Sequence, residues 1–118
     1  MLRKFLSVFV LFGVVSQAQA AFVWYNNLTI NSVAYYWDGA NDVVEVRWNE
    51  AITTGCSTAD SEKKASLWTN NSVTEPLKIR YSAALAAMTA GKKIDIEVDT
   101  GTCNAGYGLR FLGIRTHS

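Results

Sequence analysis

Apolar and polar residues alternate in several stretches of this chain, and each alternation reads as a strand with one wet face. In Val43–Trp48, Val44, Val46 and Trp48 fall on one side while Glu45 and Arg47 fall on the other. Ile94, Ile96 and Val98 alternate in the same way with Asp95, Glu97 and Asp99. Leu28–Trp37, "LTINSVAYYW", is rich in β-branched and aromatic residues and reads as a further strand. The cluster Asp38-Gly39-Ala40-Asn41-Asp42 has the composition of a hairpin turn. Residues 49–64 are small and polar and read as a long loop; Ser66–Thr69 is a short strand broken by Asn70-Asn71-Ser72. Tyr107–Arg115 closes the chain as a last strand.

One segment keeps a helical period. Thr74 is placed to cap its start, with Glu75 and Pro76 in the first turn, where a negative charge and a missing N–H are both tolerated. Leu77, Tyr81, Ala84, Leu85 and Met88 share a face. Gly91 falls where a helix wants a left-handed residue, and Lys92 and Lys93 lie at the negative end of its dipole. Gly91-Lys92-Lys93 has a superficial likeness to the end of a phosphate-binding loop. Such a loop needs strand, glycine turn, then helix, so that free N–H groups face the anion. Here the order is reversed, and the lysines meet carbonyls.

The first twenty residues change the picture of where the protein works. Arg3 and Lys4 precede an apolar run, Phe5–Val15, and a polar stretch that ends in Ala18-Gln19-Ala20. This is the pattern of a secretory signal peptide, residues 1–20, and the run is too short for the roughly twenty residues a membrane span requires. The expectation is therefore a secreted or periplasmic protein with one domain, residues 21–118, and no stable membrane insertion after cleavage. In an oxidising compartment the two cysteines, Cys56 and Cys103, are expected to form one structural disulfide.

Charge narrows the partners. Removing Arg3 and Lys4 leaves nine basic and ten acidic side chains, which offers no electrostatic footprint for nucleic acid. The one histidine, His117, lies one residue from the end, in a tail expected to fray, so histidine-based catalysis and metal binding are not expected. No catalytic residue, metal or cofactor is assigned. Asp95, Glu97 and Asp99 share a strand face roughly 7 Å apart, a spacing glycosidases also use. The plain reading of that face is a solvated one; the enzymatic alternative is a small carboxylate-dependent hydrolase.

The aromatic residues suggest binding. Tyr35, Tyr36 and Trp37 stand together before the turn at Asp38, and strand geometry sends Tyr35 and Trp37 to one side and Tyr36 to the other. One set must leave the inner face unless the sheet is covered twice. Tyr35, Tyr36, Trp37 and Asp38 are therefore the candidate ligand surface, for a stacked sugar ring or a protein partner.

The stretches "YSAALAAMTAGKKIDIEVDTGTC", Tyr81–Cys103, and "GYGLRFLGIR", Gly106–Arg115, resemble small exported bacterial proteins. The helix–"TG"–strand joint is similar to that of the B subunit of the subtilase cytotoxin. The resemblance covers about a third of the mature chain and implies an OB-fold, glycan binding and a homo-oligomer, a pentamer in that toxin. No residue of the first half aligns with sugar-contacting positions, so none is carried over. Pattern and resemblance together predict a β-rich α+β fold: a small five-stranded OB-like partly open barrel, one helix plugging an end, and one disulfide. The expected function is an exported, non-enzymatic binding domain for a glycan or protein, with a secreted inhibitor or assembly subunit as a further alternative.

Overall fold

The computed structural model describes residues 21–118, so the signal-peptide reading of residues 1–20 lies outside the described residues. The elements run β1 (Phe22–Trp37), β2 (Asp42–Trp48), α1 (Ser57–Glu62), β3 (Lys64–Thr69), α2 (Glu75–Thr89), β4 (Lys93–Asn104) and β5 (Gly108–Thr116). The strands close into a ring in the order β1-β2-β3-β5-β4. All neighbours are antiparallel except β3 and β5, which pair in parallel through Ala65–Leu109 and Ser66–Arg110 alone. This is the small OB-like fold expected, with a long helix between the third and fourth strands. Two pairs are a short seam, and the ring is least tightly closed there.

Three boundaries differ from the sequence reading. The first strand starts six residues before Leu28, because its N-terminal half pairs with β4 while its C-terminal half pairs with β2. Serving two neighbours requires a sharp bend. The register shifts between Tyr25 and Leu28 and again between Ile30 and Ser32, and Asn27 takes a left-handed φ of 59°. Asparagine tolerates that conformation better than most side chains, and bulges of this kind add the twist that ring closure demands. The second difference is α1, a short helix inside the segment read as loop; its polar residues carry no apolar period. Only Ala59 of that helix is buried. The third is the tail, where the backbone N–H of His117 donates to the Lys93 carbonyl at 3.0 Å, so the chain end is tied to β4.

The core lies inside the ring and follows the alternation. Leu28, Ile30, Val46, Trp48, Ile94, Ile96, Val98, Leu109 and Phe111 form its centre. Helix α2 covers one end, placing Ala84 and Ala87 against that centre and Leu77 against Val44 and Leu67. Alanines at the closest approach let the helix sit near the sheet. At its C-terminus the Gly91 N–H donates to the Met88 carbonyl and the Lys92 N–H to the Ala87 carbonyl. With φ +65° at Gly91 this is the Schellman arrangement, so the glycine and lysines do end a helix.

Cys56 and Cys103 are bonded, with Cα atoms 5.5 Å apart and a sequence separation of 47. The bridge ties the start of α1 to the end of β4. Cys56 is buried, and Thr58 Oγ1 donates to the Ala105 carbonyl at 3.0 Å beside it. In the chain-entropy picture a loop this long is worth about 4 kcal/mol. Replacing both cysteines with serine is expected to lower the unfolding free energy by roughly that amount, read from urea denaturation of the oxidised protein and the double variant. A loss well under about 1 kcal/mol would mean the surrounding contacts already fix the loop.

Candidate ligand-binding face

The four residues expected to share a surface do not. Tyr35 turns inward, where its ring meets Tyr81 of α2 edge-on at 5.8 Å. Strand alternation puts Tyr35 on the core side with Val33, and α2 then covers it. Tyr36 points outward and is 37% exposed; Trp37, on the opposite side, is 60% exposed beyond the end of the core. Asp38 lies in the β1–β2 turn, where its Oδ1 accepts from the N–H groups of Ala40 and Asn41 at 2.8 and 2.7 Å.

The outer face of β1, β2, β3 and β5 brings Tyr36 and Asp38 together with residues the sequence reading left aside. The strand register aligns Tyr36, Val43 and Trp68 in one row and Ala34, Glu45, Ser66 and Arg110 in the next. The Tyr107 ring stacks on Trp68 at 4.7 Å with planes 24° apart, and the Arg110 guanidinium lies 4.7 Å from the same indole. The Tyr107 hydroxyl donates to Asp38 Oδ2 and accepts from Asn41 Nδ2 at 3.1 Å. Tyr107 thus bridges the β1–β2 turn and the β4–β5 turn, which are the two loops that flank the β2–β3 face in an OB-like ring. Its position depends on Gly108, which has φ +80° and lies so close to β3 that a Cβ would meet the Lys64 carbonyl oxygen at 3.0 Å. A side chain there would push the turn off the face.

Charge on this face is organised around Glu45, a nearly buried carboxylate. Arg47 Nε donates to its Oε1 at 2.6 Å, and Lys64 Nζ reaches its Oε2 at 3.4 Å and Glu62 at 3.0 Å. Burial first, and then the Glu45 carboxylate, raise the Tyr36 phenol above its ordinary range. Two polar atoms on the face are buried without a hydrogen-bond partner: the Ser66 hydroxyl and Arg110 Nε, on adjacent strands. Arg47 and Arg115 are in ion pairs and Arg80 donates to the Leu112 and Pro76 carbonyls, whereas Arg110 makes no ion pair among the described residues. The described residues enclose no pocket, so the candidate site is an open face.

The carboxylate row on β4 departs from the expectation of a solvated face. Asp95 is 1% exposed. Its Oδ1 accepts from the Asn27 N–H at 3.0 Å and lies 2.8 Å from His117 Nε2, while Arg115 holds Oδ2 at 2.7 Å. The Arg115 guanidinium in turn covers the Trp24 ring at 4.6 Å. Burial pushes the Asp95 carboxyl up, but hydrogen bonds from His117, the Asn27 amide and Arg115 outweigh it and hold it at about 2. An acid so strong is ionised at neutral pH and cannot act as the proton-donating member of a hydrolytic pair. His117, expected to fray, is part of this cluster.

Among the described residues no group of three or more His, Cys, Asp or Glu side chains is placed to hold a metal ion, and no helix is long and apolar enough to cross a membrane. The sequence matches no protein-family model and no curated protein.

Because the folded Asp95 carboxyl titrates below its unfolded value, its contribution to stability is complete above about pH 4 and disappears as pH falls toward 2. Asp95→Asn is expected to cost about 1–3 kcal/mol at pH 7 and to flatten the stability profile between pH 4 and 2. Thermal melts of both proteins across that interval measure it; parallel profiles would show that Asp95 is not the titrating group.

Proposed function

We propose that this protein is an exported, non-enzymatic binding domain that recognises a glycan on the outer β2–β3–β5 face. The observation that carries the reading is the convergence of Tyr36 and Trp68 with Asp38, Asn41 and Arg110 on that face. Aromatic rings offer stacking area to the apolar face of a sugar, and the polar groups beside them match its hydroxyls. OB-like rings bind oligosaccharides with this same face and these two loops. The resemblance to the B subunit of the subtilase cytotoxin points the same way, and the disulfide suits an oxidising compartment.

A protein ligand is the second reading, favoured by exposed apolar side chains elsewhere: Trp37 at the end of β1, Val73 before α2, and Ile79 on α2.

Glycan-array binding of the oxidised chain, followed by titration of a bound glycan against variants, tests the proposal. Stacking worth about 1–1.5 kcal/mol corresponds to about tenfold in affinity, so Tyr36→Ala and Trp68→Ala should each weaken binding by about that factor. Trp37→Ala should leave it unchanged. Loss on Trp37→Ala with no effect at Tyr36 and Trp68 would move binding off this face. Native mass spectrometry then reads whether the domain assembles as the toxin subunit does.

A further inference from the structure

Tyr107 does something on this face that a structural tyrosine need not do. Its ring occupies the Trp68 indole, and its hydroxyl takes both an acceptor, Asp38 Oδ2, and a donor, Asn41 Nδ2. An aromatic platform with a carboxylate and an amide at its edge is the equipment for a ring that carries hydroxyls. Asp38 is prepared for that use, since its Oδ1 is held by the turn's own N–H groups while Oδ2 is left for the hydroxyl.

The mounting of Tyr107 allows its side chain to leave while its backbone stays. Asn104 Oδ1 accepts from the N–H groups of Gly106 and Tyr107 at 2.8 and 3.0 Å, so the turn keeps its own shape. The Cys56–Cys103 bridge and the Thr58–Ala105 hydrogen bond anchor the turn to α1, independently of Asp38 and Asn41. Rotation about the Tyr107 side-chain bonds would lift its ring from the Trp68 indole, which Arg110 still flanks, and would release Asp38 and Asn41.

We propose that Trp68, Asp38 and Asn41 form a subsite for a hydroxylated sugar ring, and that Tyr107 fills this subsite from within the chain until a ligand displaces it. The inference rests on the glycan reading for the identity of the natural ligand, but not for the existence of the subsite. Since a ligand binds only the open form, its apparent affinity in the native protein is reduced by the open fraction.

The test uses the full oxidised chain and Tyr107→Ala, with p-cresol as a probe that reproduces the missing ring and hydroxyl. Millimolar p-cresol should bind the variant and shift the Trp68 indole N–H signal, assigned through Trp68→Phe, while the native protein leaves it unmoved. A glycan found on the array should bind Tyr107→Ala about tenfold more tightly than the native chain, and p-cresol should compete with it. If near-ultraviolet circular dichroism shows that Tyr107→Ala does not fold, Tyr107→Phe, which loses only the hydroxyl, should still tighten glycan binding by roughly threefold. A folded Tyr107→Ala variant that ignores p-cresol overturns the subsite. Equal glycan affinity of native and variant proteins overturns the gate and leaves the glycan reading standing. Binding of p-cresol to the variant with no glycan bound by either protein upholds the subsite and removes the glycan reading.

Discussion

Ring closure in this domain depends on one strand being shared between two neighbours. A 16-residue β1 pairs with β4 through its first half and with β2 through its second, and it can do so only by bending at Asn26–Asn27. The bend takes the Asn27 N–H out of the ladder, so a side-chain acceptor has to replace the lost strand partner. Asp95 on β4 is that acceptor. A carboxylate buried for this purpose needs compensation of its own, which Arg115 and His117 provide from the end of β5. One buried acid therefore links three strands. The same requirement explains why Asp95, unlike its neighbours Glu97 and Asp99, is withdrawn from solvent, and why the last residues of the chain are ordered against the sheet.

The proposed binding face depends on a different set of ties. The β3–β5 seam has only two residue pairs, yet it sets Ser66 beside Arg110 and brings the β4–β5 turn next to Trp68. The disulfide and α1 hold the base of that turn from below. On the other side the β1–β2 turn is shaped by Asp38 bonding to its own backbone. Tyr107 spans the gap between two loops that are each stable without it. This arrangement separates the groups that maintain the fold from those of the proposed binding face: the former lie around Asp95, Cys56–Cys103 and the α2 interface, and the latter around Trp68.

Glu45 shows how the outer face stays polar over a well-filled core. Beside it Val43 is fully buried between Tyr36 and Trp68, although it faces outward. Aromatic side chains on both flanks shield it, so an outward position in a small ring can be as dry as an inward one. In the neighbouring row the Ser66 hydroxyl and Arg110 Nε are buried without hydrogen-bond partners.

Much of this was legible in the chain. Alternation in Val43–Trp48 and Ile94–Val98 assigned the core faces, because a two-residue period leaves no freedom once one side is apolar. Pro76 and Gly91 bounded α2 through local backbone chemistry, although the Thr74 side chain makes no capping hydrogen bond and only its carbonyl accepts from the first turn. A pair of cysteines in a chain read as exported implied the bridge. The early start of β1 and helix α1 were not legible: a strand that bends to change partners and a helix of polar residues are stabilised by what they pack against, not by their own period. The candidate surface divides in the same way. Tyr36 and Asp38 could be proposed from an exposed strand end and a turn. Trp68, Tyr107 and Arg110 lie 32 to 74 positions from Tyr36 in sequence, and only register across four strands and the β4–β5 turn bring them to the same face. Tyr35 and Asp95 were misplaced for the same reason, since burial by α2 and by Arg115 is a property of the assembled ring. Local chemistry in the sequence determined most of the elements and their inward-facing sides; long-range pairing, which no local pattern encodes, decided the bend of β1, the place of α1 and which polar and aromatic side chains meet.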